Sequence, residues 1–560
     1  MTIRSFLEDA VKLAPQLPAQ RFFQGNQWVS RSYASLKERV IRASVVLRQM
    51  NLQPGRQNVA LMMENCPEWQ EIYLALAGSG VAVVPLDPKL RANEVCHILR
   101  DSEAVAIFAG TRLRDVIDQA VASLPGLTSC VWVGEDSGRI SAIKDRVNHA
   151  YETLTNCASA AYDAAREWFE SHIPIESTIA SIIYTSGTTG KPKGAMLTHG
   201  NFTSNVLSTI ERVKFYPNEN FLNALPLFHS FSFTANFMVP LRIKACCSFV
   251  RSLRTVADDM KVLQPTIMFA VPLMAEKIYA RITERLSKSV LARLLPRIGL
   301  KSIIQKKVRA TFGGKLRLLG IGGAPSDVEM LKGFQSIGIP VLEGYGLTEC
   351  SPGVAYANLD HYRPGWIGPI IPGMEYKIVD KDSTGAGELC VKGPNVMSGY
   401  YKNEKATAEI IDADGFFHTG DLVCFDEYSN VRICGRRKAL IVNREGKNIY
   451  PEEIEQIIER CPLIQDVIVL GYHGTGETSE RVGAIIVPNA ETLAQARTEK
   501  GWTTDAQAED YLRDEISALC RKHLADYKLP RKIIIRKEAL ERTSTMKVRR
   551  VTYADALDEH

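Results

Sequence analysis

No Cys-x-x-Cys pair occurs among the twelve cysteines of this chain, which excludes the commonest spaced zinc clamps. Cys246 and Cys247 are adjacent, an arrangement that suits neither a metal clamp nor an ordinary bridge. The others are scattered over 560 residues and read as small buried hydrophobes in a reducing, cytoplasmic compartment. The charges nearly cancel. The chain has 68 basic and 63 acidic residues, a net of +5, too slight to suggest wholesale nucleic-acid binding. Met1–Lys12 carries Arg4, Glu8 and Asp9 and has no apolar core, so no secretory signal is expected. The longest uncharged run, Asn220–Leu241, contains Pro226, Pro240, His229, Asn223 and Asn236, and is rejected as a bilayer span. What remains is ordinary globular usage, 45% apolar and 23% charged. At roughly 100–200 residues per domain, the length allows about three to five folding units.

Short Val/Ile-rich runs alternate with helical stretches and Gly/Pro punctuation, as in Asn58–Met63, Pro67–Gly78 and Val81–Pro85. That rhythm predicts an α/β fold with mostly parallel sheets. Ser181–Tyr184 and Lys315–Ile321 read as further buried strands. Tyr376–Asp380, Glu388–Lys392 and Val431–Cys434 predict a β-rich subdomain of shorter strands. After Gly435–Lys438 the pattern changes. Pro451 opens a helix with Glu452 and Glu453 in its first turn, where the helix dipole favours acids. Strands at Asp466–Leu470, Val482–Val487 and Lys532–Arg536, with a helix over Asp505–Leu524, predict a small α+β unit.

The loudest segment is Tyr184–Gly194, which holds three glycines, four hydroxyl residues and two lysines directly after a strand. Glycines let backbone N–H groups turn toward an anion, hydroxyls add donors, and lysines neutralise charge, so polyphosphate is the expected ligand. A plain linker is the competing reading, and the position after a buried strand argues against it. The spacing is not that of a Walker A loop: Gly187-x-x-Gly190-Lys191 is too short, and Pro192 stands where the magnesium-binding hydroxyl would be. Gly344–Glu349 offers an aromatic face, a hydroxyl and a carboxylate suited to a hard cation, and His418–Asp421 places an acid after a turn. Each of these two, alone, could be a turn with a solvated acid.

Together these segments resemble the adenylate-forming superfamily of acyl-CoA synthetases, luciferase-like enzymes and peptide-synthetase adenylation domains. The matching signatures are Tyr184–Gly194, Gly322–Pro325, Gly344–Glu349, His418–Asp421, Gly435–Glu455 and Arg542–Arg550, and they span nearly the whole chain. The resemblance implies an N-terminal adenylation domain over 1–434, a hinge at 435–439 and a small mobile C-terminal domain over 440–560. It also implies a two-step reaction. A carboxylate attacks the α-phosphate of MgATP, giving acyl-AMP and pyrophosphate, and a thiol then displaces AMP.

Roles follow from the matched positions. Thr185, Ser186, Gly187, Thr188, Thr189, Gly190 and Lys193 correspond to the loop that holds the β- and γ-phosphates. Gly323 and Ala324 correspond to the adenine-site backbone, and Tyr345 to the ring stacked on adenine. Thr348 corresponds to an α-phosphate contact, Glu349 to the magnesium ligand, and Asp421 and Arg436 to ribose contacts. Lys438 corresponds to the hinge residue, Gly446 to the loop near the thiol tunnel, and Lys547 to the catalytic lysine of adenylation. Met546 departs from the pattern, since many members have glycine before that lysine, and this implies a stiffer or differently shaped loop.

His229, within Pro226–Phe233, corresponds to an aromatic at the carboxylate entrance, a core histidine being the alternative. Asn220–Leu241 has no acid to pair with a substrate ammonium, which disfavours amino acids and favours an apolar tail. Met397–Tyr401, Ile441–Glu453 and Thr543-Ser-Thr look most like long-chain fatty acid–CoA ligases. The implied partners are fatty acid, ATP and CoA, with acyl carrier protein as an alternative acceptor and a catalytically silent scaffold as a third reading. Residues 276–315 carry eleven basic and two acidic residues with interleaved Ile and Leu. Such a helix can lie peripherally on the inner face of a membrane, or its apolar stripe can be core.

Overall fold

Runs of Val, Ile and Ala with no polar alternation are what a strand needs when both of its faces are covered. The computed structural model describes residues 1–134, 147–185, 192–288, 301–444, 447–473, 480–542, 548–554 and 556–558. In it, Asn58–Met62 is such a strand, with Val59, Ala60 and Leu61 fully buried. The helix Pro67–Gly78 follows, with proline in its first turn where the missing N–H costs nothing. Ala82–Pro85 then returns parallel to Asn58–Met62, closing the expected β-α-β unit.

The chain forms two compact units. The first comprises Met1–Glu375, Lys392–Phe417 and Tyr428–Asn430. It contains two large sheets. The seven-stranded sheet runs, in spatial order, Val147–Ala150, Ser129–Val133, Ala104–Gly110, Asn58–Met62, Ala82–Pro85, Ile179–Thr185 and Lys193–Thr198. All pairings are parallel except the last, an antiparallel hairpin. The eight-stranded sheet runs Gly353–Tyr356, Val341–Gly346, Leu318–Gly322, Ile267–Ala270, Asn220–Asn223, Cys246–Phe249, Pro18–Gln24 and Gln27–Ser32. Its inner pairings are parallel, and an antiparallel strand closes each edge.

One core cluster of this unit gathers Leu222, Met268, Ile321, Phe334 and Ile339. The same cluster takes in Ile282 and Ile304, with Ile278 and Leu286 packed against it. The described apolar residues of the basic stretch at 276–315 are therefore largely core, although Ile303 is exposed. Leu291, Leu294, Leu295 and Ile298 lie outside the described residues. Among the described residues no helix is long and apolar enough to cross a membrane.

The second unit comprises Tyr376–Val391, His418–Glu427 and Val431–His560. Its four-stranded sheet is built from Glu375–Val379, Gly387–Lys392, Phe417–Phe425 and Val431–Arg436. A second sheet joins Ile464–His473 antiparallel to Glu480–Pro488 and the latter parallel to Lys532–Ile535. The helices Pro451–Ile458 and Asp505–His523 supply Ile454, Ile458, Leu512 and Ile516 to the core beneath it. The four-stranded sheet thus groups with the C-terminal residues, whereas the sequence reading grouped it with residues 1–434. The physical tie is visible: the Tyr450 hydroxyl donates to Asp382 Oδ2 at 2.6 Å, and Arg437 pairs with both Asp380 and Glu388.

Candidate active site

In the first unit the phosphate segment is bracketed by an antiparallel hairpin. Thr185 ends the strand Ile179–Thr185 and lies in register with Lys193, which opens Lys193–Thr198. The two ends of the loop are therefore pinned together by a ladder. Gly194 is required here, because a Cβ would fall 2.7 Å from the Ile182 side chain and 3.0 Å from the Tyr184 ring. Ser186, Gly187, Thr188, Thr189 and Gly190 lie outside the described residues.

Lys193 leads to the next group. Its ammonium sits 5.2 Å from the centre of the Tyr400 ring, a cation–π distance. The Tyr400 hydroxyl donates to Glu349 Oε1 at 2.9 Å. Burial, then the neighbouring Glu349 charge, push the Tyr400 hydroxyl well above its ordinary pKa, so it stays a donor. The backbone N–H of Met397 also donates to the Glu349 carbonyl at 2.8 Å. Glu349 sits in the short turn Thr348–Cys350, which two buried amides brace. Asn395 Nδ2 donates to the carbonyls of Cys350 and Gly353 at 2.9 and 3.0 Å. Asn205 Nδ2 donates to the same two at 3.3 and 2.9 Å.

The turn also meets the segment around His229. Ser230 Oγ and Thr348 Oγ1 are hydrogen-bonded at 3.1 Å. His229 caps the short helix Ser230–Ser232, its Nδ1 accepting from the Phe231 N–H at 3.3 Å. The strands Leu318–Gly322 and Val341–Gly346 lie parallel, with Gly322 opposite Gly344. A Cβ on Gly322 would lie 3.1 Å from the Gly344 carbonyl, so the close approach selects glycine there. Gly323, at φ +90°, turns the chain just past the end of the strand Leu318–Gly322 and before Ala324.

Beside these residues lies an apolar cavity lined by Phe215, Phe231, Val239, Phe269, Leu342 and Tyr356, among others. Phe231 and Phe269 meet edge-on at 5.8 Å between ring centres. Glu343 is the one charged residue in the lining among the described residues. Its Oε2 accepts from the Tyr362 hydroxyl at 2.7 Å and the Gly365 N–H at 3.1 Å. Burial nevertheless pushes its pKa up, toward a neutral carboxyl.

The second unit assembles the rest. Asp421 and Arg436 lie opposite each other on adjacent antiparallel strands, with Arg436 Nε 2.6 Å from Asp421 Oδ1. The carboxylate is buried, while the guanidinium is 43% exposed. Thr419 fixes the turn before it, donating to the Leu389 carbonyl at 2.7 Å and accepting from the Asp421 N–H at 3.1 Å. Lys438 lies in the short turn Arg437–Ala439. Glu388, Cys390 and His418 bring three donor atoms within 4.8 Å of one another. Arg437 already pairs with Glu388, and its positive charge opposes a cation at that spot. Gly446, Met546 and Lys547 lie outside the described residues.

The structure therefore brings Thr185, Lys193, Glu349, Thr348 and His229 into one connected set, and pairs Asp421 with Arg436. Sequence reasoning missed Tyr400, Ser230 and Glu343 as functional candidates. The Gly-Tyr-Tyr run at 399–401 was a signal for the first, but nothing in its spacing linked it to Glu349.

Comparison with known proteins shows the family. Residues 7–401 match the AMP-binding enzyme family, and residues 453–547 match the AMP-binding enzyme C-terminal domain. Long-chain-fatty-acid–CoA ligase 6 of Mus musculus is 31% identical over 516 residues, covering 85% of this chain and 72% of that protein. Long-chain-fatty-acid–CoA ligase FadD15 of Mycobacterium bovis is 29% identical over 532 residues, covering 88% and 83%. The crystal structure of ATP-bound MatB from Rhodopseudomonas palustris superposes with a TM-score of 0.78 at 27% identity, over 99% of this chain and 100% of that one. The chain belongs to the AMP-binding enzyme family: it is an adenylate-forming enzyme of the AMP-forming acid–thiol ligase class.

Proposed function

We propose that the enzyme activates a medium- or long-chain fatty acid with ATP and passes the acyl group to the thiol of CoA. The observation that carries this reading is the Ser230–Thr348 hydrogen bond at 3.1 Å. It joins the segment whose Phe231 walls the apolar cavity to the turn that holds Glu349. In this reading the acyl tail enters beside Phe231 at that cavity, whose enclosed volume of ≈ 60 Å³ widens to take a long chain, while its carboxylate points at Thr348. The buried Glu343 is a weak partner for a substrate ammonium, because burial raises its pKa and its Oε2 is already engaged by Tyr362 and Gly365.

In this reading Thr185, Ser186, Gly187, Thr188, Thr189, Gly190 and Lys193 hold the β- and γ-phosphates. Gly323, Ala324 and Tyr345 hold adenine, and Asp421 with Arg436 holds ribose. Magnesium suits the site chemically: Glu349 offers a hard carboxylate oxygen, and the Tyr400 hydroxyl on Oε1 fixes how that carboxylate faces. A bound magnesium ion would neutralise phosphate charge as it builds up. Lys547 supplies positive charge to the carboxylate and α-phosphate oxygens in the first step. Removing one such preorganised donor typically costs ~2.7–4 kcal/mol. Lys438 is the pivot that withdraws Lys547 and brings Gly446 toward the thiol for the second step.

Purified enzyme given labelled palmitate, ATP and either CoA or the phosphopantetheine arm of acyl carrier protein tests the reading. Palmitoyl-CoA, AMP and pyrophosphate in equal amounts are expected, with a chain-length series locating the optimum. Pyrophosphate release that needs a short polar acid, with none from palmitate, would refute the fatty-acid assignment.

A further inference from the structure

The four-stranded sheet of the second unit holds two partly exposed thiols that the reaction does not use. Cys424 lies on the strand Phe417–Phe425 and Cys434 on its antiparallel neighbour Val431–Arg436. Leu422 pairs with Gly435 and Val423 with Ile433, so Cys434 is the extra residue of an irregularity in the ladder. Such bulges bend the strand and re-aim the side chain they carry. Here the Cys434 thiol reaches the carbonyl of Arg432 at 3.8 Å, and Arg432 is the residue directly opposite Cys424. Cys434 is thus the diagonal neighbour of Cys424 across the ladder, and the two thiols lie close enough to influence each other's ionisation. Both are partly exposed, whereas Cys390, Cys461 and Cys520 in the same unit are buried.

From this juxtaposition we infer that Cys424 and Cys434 form a reversible disulfide, making the bulge an oxidation site. The chemistry favours Cys424 as the attacking group. The neighbouring Cys434 thiol lowers its pKa to about 6, and the Arg432 charge adds to the effect, while the same contact and burial raise Cys434. A lowered pKa beside a partly exposed second thiol is the usual setting of a reactive pair. With a low-molecular-weight disulfide such as oxidised glutathione, the Cys424 thiolate attacks one sulfur. The glutathione S–S bond breaks, and the first glutathione leaves as a thiolate that takes up a proton. Cys434 then loses its proton and attacks the Cys424 sulfur, expelling the second glutathione. Two protein thiols are oxidised and one glutathione disulfide is reduced to two thiols.

The test uses the full-length protein held at graded ratios of oxidised to reduced glutathione, acid-quenched, alkylated with iodoacetamide and digested for mass spectrometry. The expected product is a pair of peptides joined through Cys424 and Cys434, lighter by two hydrogens than their reduced sum and released by dithiothreitol. Cys424→Ser and Cys434→Ser each abolish the joined species, and the remaining thiol retains a single glutathione. Full alkylation of both cysteines at the most oxidising ratio would overturn the inference, as would a bond from either one to Cys390. The wild-type digest decides the question by itself should a variant fail to fold, and it does not depend on catalytic turnover.

Discussion

Replacing Tyr400 with phenylalanine removes one hydroxyl and leaves the ring in place. The hydroxyl is the donor to Glu349 Oε1 at 2.9 Å, and the ring keeps its 5.2 Å contact with the Lys193 ammonium. A hydrogen bond to a charged group contributes ~1.5–3 kcal/mol. Glu349 is only half-buried, so water can take the place of the lost hydroxyl and the effect belongs at the lower end. A loss of ~1.5 kcal/mol corresponds to about a tenfold effect on kcat/KM. Steady-state pyrophosphate release over a series of MgATP concentrations is the assay. A rise of about tenfold in KM for MgATP is expected, with the KM for fatty acid and the melting temperature little changed. Tyr400→Leu removes the ring as well and adds ~0.5–1 kcal/mol for the lost cation–π contact. If the phenylalanine variant stayed within about twofold of wild type at every magnesium concentration, the role given to this hydroxyl would be wrong.

Other expectations concern further residues. Asp421→Asn removes the charge facing Arg436 at 2.6 Å and should raise the KM for ATP in pyrophosphate-release assays while leaving acyl chain-length preference unchanged. Lys547→Ala should abolish acyl-AMP formation yet spare thioester formation from supplied acyl-AMP, and equal loss of both steps would contradict its assignment. Gly346→Ala places a Cβ 2.2 Å from the Pro352 carbonyl, so chemical denaturation should show a loss of ~1–3 kcal/mol or more. His199 is buried with its Nδ1 accepting from the Ile3 N–H at 3.1 Å, and burial lowers its pKa from 6.5 to about 4. The unfolded chain takes up that proton below pH ~6.5 and the folded one does not. Stability should therefore fall by about 3 kcal/mol between pH 6.5 and 4, and His199→Gln should flatten that part of the pH–denaturation curve.

Local signals carried over well from sequence to structure. Pro67 and the Glu68 beside it mark the start of a helix that runs to Gly78 as expected. The Val/Ile runs became strands within a residue or two, as at Asn58–Met62 and Ala82–Pro85. Order within the sheets was not legible. Asn220–Asn223 lies between Ile267–Ala270 and Cys246–Phe249 because non-local pairing decides it, and no short window of sequence reports that. The same holds for the site. Glycine and hydroxyl density exposed the phosphate segment, and the carboxylate of Glu349 stood out in its own motif. Tyr400 did not, since it lies 51 positions after Glu349 and meets it only through the fold. Glu343 reads as an ordinary strand residue until burial and the Tyr362 hydroxyl reveal its surroundings. The β-rich strands after Glu375 were legible as strands, but their grouping with the C-terminal residues rests on contacts such as Tyr450 to Asp382.

The two asparagine clamps on Cys350 and Gly353 carry a consequence for drift in sequence. Both amides reach the same pair of carbonyls, one from the helix His199–Arg212 and the other from residue 395. Losing either asparagine therefore leaves each oxygen with one amide donor, whereas losing both removes two charge-neutral hydrogen bonds from each of two buried carbonyls, at ~0.5–1.5 kcal/mol per bond. Single changes at 205 or 395 should be survivable and double changes should not, so the two positions form an epistatic pair. A library randomised at both would show that coupling directly, as mutual tolerance singly and collapse in combination.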